Sequence, residues 1–90
     1  MLIAEAESYA ALGDAETAEK LFKGLTKRFP DNVWGYIGWG DMYRDSHNRK
    51  IPADYDKAEE IYRLGLARCK NEVDAINERL EDLENVRNSS

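Results

Sequence analysis

Apolar residues recur at helical spacing from one end of the chain to the other. Within 14–29 they fall at Ala18, Leu21, Phe22, Leu25 and Phe29. Within 55–70 they fall at Ala58, Ile61, Tyr62, Leu66 and Cys69, with Gly65 interleaved. Residues three and four apart lie on one side of a helix, so each segment reads as an amphipathic helix with one broad core stripe. A third helix over 33–44 gathers Tyr36, Trp39, Gly40 and Tyr43 on one face. The opening stretch, 1–11, is rich in Ala and Glu, both good helix formers. The last helix, 72–87, carries Val73, Ile76, Leu80 and Leu83 as a narrow seam on a charged cylinder. No segment shows the two-residue alternation of a strand.

The punctuation agrees with this pattern. Gly13-Asp14 offers a turn and then an N-cap, with Glu16 in the positive first turn of the helix that follows. Phe29-Pro30-Asp31-Asn32 stops that helix, because the residue before a proline is disfavoured in the α region. Asp31 or Asn32 is expected to cap the third helix, Asp54 the fourth and Asn71 the fifth, with Asp74 completing an approximate capping box. Short connections make the five helices antiparallel neighbours. The exception is the longer polar loop 45–53, DSHNRKIPA.

The pattern also repeats. Ala6 and Tyr9 match Gly40 and Tyr43 at a separation of 34, while Ala18, Glu19, Leu21 and Phe22 match Ala58, Glu59, Ile61 and Tyr62 at a separation of 40. A 34-residue helix–turn–helix unit with six residues inserted in its second copy explains both offsets. The second unit reads Tyr36-x2-Trp39-Gly40-x2-Tyr43 and then Ala58-x3-Tyr62; the first supplies Leu2, Ala6, Tyr9, Ala18-x3-Phe22 and a closing Pro30. In this the chain resembles the tetratricopeptide repeat, W-x2-L-G-x2-Y followed by A-x3-F and P. It departs where Glu5 replaces a large apolar residue, where Lys70 replaces the proline, and in the insertion. The resemblance implies an all-α, right-handed superhelix of about five antiparallel helices in one domain. Repeat one spans 1–32, repeat two 33–72, and a solvating cap 73–87. The pattern has a packing logic: Ala6, Ala18, Gly40 and Ala58 are small where helices cross, and Tyr9, Phe22, Tyr43 and Tyr62 fill the space between them.

Composition narrows the chemistry. Ninety residues allow one small domain, and a content of 42 % hydrophobic and 34 % charged residues is that of a folded, helix-rich chain. A net charge of −5 disfavours a phosphate-neutralising surface, so no nucleic-acid partner is expected. No apolar run approaches the roughly 20 residues that span a bilayer. The opening residues include Glu5 and Glu7 and lack a basic start, unlike a signal peptide. With one cysteine there is no internal disulfide, which fits a reducing, cytoplasmic setting.

Catalytic inventory is thin. Cys69 falls on a core stripe and reads as a small buried hydrophobe rather than a reactive thiol. Gly35, Gly38 and Gly40 lie in a helical aromatic pattern with no strand before them, so close packing explains them better than phosphate binding. Asp45, His47, Asp54 and Asp56 could be drawn as metal ligands, yet Asp54 is wanted as a cap and Asp56 stabilises a first helical turn. No cofactor, metal or catalytic activity is expected. The acidic stretch 78–84 reads as a solvated face.

What remains is a surface. The resemblance implies a concave groove lined by the first helix of each repeat, binding a peptide or helix of another protein. Its expected lining is Ile3, Glu7, Trp34, Ile37, Asp41, Arg44, Asp45, Asp74 and Asn77, with Ala10 and Glu81 beside them. Trp34 and Ile37 form its apolar anchor, as aromatic anchors dominate many interfaces; the alternative is that Trp34 packs against the loop or the next helix rather than a partner. The surrounding carboxylates favour a neutral or basic partner over an acidic one. Related repeats that clamp a C-terminal carboxylate use basic and amide side chains, whereas Ile3, Glu7, Gly38, Asp74 and Glu78 stand at those places here. The 45–53 loop reads first as a tolerated insertion with modest closure entropy; the alternative is a secondary anionic contact through His47, Arg49 and Lys50. The alternative is a structural or oligomerising segment cut from a larger protein. Leu2 and Ile3 at the start of the stack need cover from a preceding repeat or from a second copy, which makes a homodimer through that end a further expectation.

Overall fold

A computed structural model describes residues 2–44 and 54–89, with the side chains of 5–44 and 54–88. The chain is all-helical: α1 (Leu2–Ala11), α2 (Ala15–Arg28), α3 (Val33–Arg44), α4 (Tyr55–Arg68) and α5 (Val73–Ser89), with no strand among the described residues. Helix starts follow local chemistry. Asp14 and Asp54 accept the backbone N–H of Thr17 and Lys57, each at 3.1 Å. Asn32, immediately before α3, accepts that of Trp34 at 3.1 Å. These bonds satisfy donors that the first turn of a helix leaves unpaired.

The start of α5 differs from expectation. Glu72, not Asn71, directly precedes it, in the left-handed region at φ 60°, and its carbonyl accepts Ala75 N–H at 3.2 Å. The turn into α5 is therefore set by backbone conformation, which a side-chain capping pattern does not reveal. Gly13, at φ 89°, makes the comparable bend between α1 and α2, where glycine bears no steric cost.

Each helix packs on the next in sequence, and α3 also packs on both α1 and α5. The even helices α2 and α4 make no comparable backbone approach to each other. The result is two layers, with α1, α3 and α5 in one and α2 and α4 in the other. Helix α3 is the centre: eight of its twelve residues are buried. It shares one hydrophobic core with Ala6 from α1, Ala18, Phe22 and Leu25 from α2, Ala58, Ile61 and Tyr62 from α4, and Ile76 and Leu83 from α5.

Close approach depends on missing side chains. A Cβ on Gly40 would enter the ring of Tyr62. A Cβ on Gly65 would lie 2.9 Å from both Tyr36 Cβ and Ile76 Cδ1. One on Gly38 would lie 2.9 Å from the Phe22 ring. Glycine thus lets α3 accept an aromatic ring from each even helix. Ala6, Ala18 and Ala58, all fully buried, serve at the remaining crossings. The turn between α2 and α3 is tied down at Pro30, whose carbonyl accepts the Tyr36 hydroxyl at 3.1 Å and the Cys69 thiol at 3.6 Å. Burial, and then the nearby Asp31 carboxylate, raise the pKa of that thiol, which keeps it protonated and unreactive. Asp54 N–H donates to the Tyr43 carbonyl at 2.8 Å, so the end of α3 is tied to the residue just before α4.

Candidate interaction surface

Because α1, α2, α4 and α5 all pack on α3, only a narrow strip of that helix reaches solvent. Trp34, 50 % exposed, and the partly exposed Asp41 define it, seven residues and about two turns apart on one face. Ile37 does not belong to it. At 3 % exposure it is a core residue, and it gives Trp34 no exposed apolar neighbour. A helix apolar nearly all round has no polar face from which the open side can be read.

Asp41 is held by other parts of the fold. Its carboxylate accepts the Tyr62 hydroxyl and, at 3.3 Å, Arg79 Nε from α5. Burial, and then the adjacent carboxylate, push the Tyr62 phenol well above its ordinary pKa, so it remains a donor. Arg44 lies 3.8 Å from Asp41 and 4.0 Å from Asp82, bridging α3 to α5. Its Nε is buried and lacks a hydrogen bond, so the link to Asp41 is electrostatic only. The pair expected to line a groove thus also fastens α3 to α5. Glu7 on α1 and Asp74, Asn77 and Glu81 on α5 are exposed on the helices that flank α3, and Ala10 is partly buried. Glu7, Asp41 and Glu81 occupy one repeat position, at separations of 34 and 40, so each helix of this layer carries a carboxylate there. The side chain of Ile3, all of Asp45, and His47, Arg49 and Lys50 lie outside the described residues.

Two polar clusters on the other side of α3 and α5 carry no candidate from the sequence. Glu19 on α2 accepts Trp39 Nε1 at 3.2 Å and the Tyr43 hydroxyl at 2.9 Å, and pairs with Lys57 Nζ at 3.0 Å. Lys57 also sits over the Tyr43 ring, 4.6 Å from its centroid. Burial by itself would raise the Glu19 pKa, but the three donors outweigh it and hold the carboxyl below its ordinary value. Forty residues on, Glu59 accepts Arg63 Nε at 2.8 Å and Arg87 at 2.9 Å. Arg63, before all else, holds the Glu59 carboxyl below its ordinary value too. The match of Glu19 to Glu59 in the repeat was the available signal for both clusters.

Comparison with family models, curated proteins and solved structures finds no match. The local chemistry therefore stands by itself. Among the described residues, no three His, Cys, Asp or Glu side chains gather as a metal ion would need, and no helix is long and apolar enough to cross a membrane.

Proposed function

We propose that the chain is a tetratricopeptide-like protein-interaction module of two helical hairpins and a capping helix. It works without catalytic chemistry and acts in the cytoplasm. Its partner is a peptide or helix of another protein, neutral or basic, received on the exposed face of the α1–α3–α5 layer. The observation that carries this reading is Trp34: half its surface is exposed on a helix whose other residues are mostly buried. Large aromatic side chains presented to solvent are the usual anchors of interfaces, and truncating one typically costs about 2 kcal/mol or more of binding energy. The two-layer packing supports the reading, since stacked helical hairpins expose one continuous layer of first helices. The exposed carboxylates of Glu7, Asp74 and Glu81 supply the preference of charge.

The test is capture of partners by the wild type and by Trp34→Ala at equal loading. A module of this kind loses its partners in the variant while keeping its melting temperature. Equal capture by both would remove Trp34 from the interface and leave the structural or oligomerising role as the better reading. Leu12, 67 % exposed at the α1–α2 turn, is the feature that favours self-association.

A further inference from the structure

Helix α5 is attached differently from the helices it packs on. Of its described side chains only Ile76 and Leu83 are buried, against eight residues of α3 and four of α4. Ile76 makes the deep contact, seated beside Tyr36 in the notch that Gly65 leaves on α4. Leu80 is only partly buried, and a groove of about 540 Å³ runs between α4 and α5 past Leu80, Leu83, Glu84 and Arg87. Apolar contact along this seam is therefore incomplete.

Much of the remaining attachment is electrostatic. The helix carries five carboxylates, Asp74, Glu78, Glu81, Asp82 and Glu84, in a chain whose net charge is already −5. Its two cations both turn toward the body: Arg79 lies 3.2 Å from Asp41 on α3, and Arg87 lies 2.9 Å from Glu59 and 2.8 Å from Asp56 on α4. Asp82 adds a 4.0 Å approach to Arg44. All of these side chains reach solvent, where single ion pairs stabilise little. The connection to α4 has one anchored end. Cys69 is buried, with its N–H on the Gly65 carbonyl at 2.8 Å and its thiol on the Pro30 carbonyl at 3.6 Å. Lys70, Asn71 and Glu72 are exposed, and Glu72 holds a left-handed φ of 60°, which residues with side chains rarely adopt.

We infer that α5 is a detachable lid, swinging away as one unit about residues 70–72 while α1 to α4 stay folded. Arg79 and Arg87 set how often it opens. Once free, a 17-residue helix with a single narrow apolar seam has little to keep it helical, so its amides become accessible together. Opening uncovers Tyr36 and the Gly65 notch, and it withdraws Asp74, Asn77 and Glu81 from the α1–α3–α5 layer. The proposed binding face is then complete only in the closed state. That consequence rests on the proposed function; the opening itself does not.

Native-state hydrogen exchange of the full chain reads the opening. Amides 77–87 should share one opening equilibrium, at least tenfold more populated than that of the α3 amides. Glu19→Ala, which weakens the body away from α5, should speed α3 exchange about thirtyfold and leave α5 exchange unchanged. Arg79→Gln combined with Arg87→Gln should speed α5 exchange about tenfold. Protection of α5 equal to that of α3 overturns the inference, as does protection that declines steadily toward residue 89, which is fraying. Equal acceleration of α5 and α3 in Glu19→Ala would mean that α5 opens only with the whole fold, and overturns it too. Unchanged α5 exchange in the double arginine variant would contradict the control assigned to those residues.

Discussion

Glu19 and Glu59 occupy the same place in consecutive repeats, and their surroundings differ in kind. Glu19 is enclosed by two aromatic donors from α3 and a lysine from α4, and its side chain is 19 % exposed. Glu59 is held by two arginines, of which Arg63 is itself 64 % exposed. The helix register puts a glutamate on the edge of each even helix. The element that comes next decides whether it becomes an interior anchor or a surface ion pair. At the first junction α3 and α4 both lie against the edge and partly desolvate the cluster. At the second, among the described residues, α5 alone reaches across, through Arg87, and long flexible side chains close the network. Donors orphaned in an interior are costly, whereas exposed ion pairs contribute little.

The largest test of this contrast is at Gly40. At the first junction Tyr62 seats in the notch above this glycine, on the same helix that carries Lys57 to Glu19. Gly40→Ala should force the ring aside and destabilise by about 3 kcal/mol, beyond any gain in helix propensity. A thermal or denaturant melt reads this directly. A neutral result would mean that α4 is not held by that contact.

Next comes Glu19→Ala, which leaves the buried Trp39 and Tyr43 donors without an acceptor. A loss of about 2 kcal/mol is expected. Glu59→Ala in the same denaturation series should lose clearly less. Equal losses would erase the distinction between the two junctions. Lys57→Met, which keeps the length of the side chain but removes its charge, should cost about 1 kcal/mol from the ion pair and the contact with the Tyr43 ring.

The smallest effect is on acid stability. Both glutamates have folded pKa values below the ordinary 4.5. Their stabilisation is therefore complete above that value and fades as pH falls through the lower, folded values. Melts between pH 7 and pH 2 should show this acid loss reduced in Glu19→Gln, which has no proton to take up. An unchanged pH profile in that variant would remove Glu19 as a contributor.

How far these features could be read beforehand follows from their range along the chain. The extents of the helices and the caps at Asp14, Asn32 and Asp54 are local, and residue pattern specifies them well. The entry to α5 depended on a left-handed Glu72, a conformation that no residue type there announces. Ile37 was legible as apolar but not as buried, because α3 is enclosed on several sides and its hydrophobic pattern has no clear period. Asp41 was legible as a carboxylate on the α1–α3–α5 layer. Its ties to Tyr62, Arg44 and Arg79 join three helices and needed the fold. Glu19 sat in plain view in the repeat, but its buried donors lie 20 and 24 residues further along.

The binding face is tested most directly by calorimetric titration of two helical peptides of equal hydrophobicity, one basic and one acidic, into the wild type and into Trp34→Ala. The basic peptide should bind the wild type more tightly than the acidic one, and its affinity should fall about thirtyfold in the variant. Tighter binding of the acidic peptide, or an affinity for the basic peptide that Trp34→Ala leaves unchanged, would contradict a carboxylate-flanked interaction face anchored on Trp34.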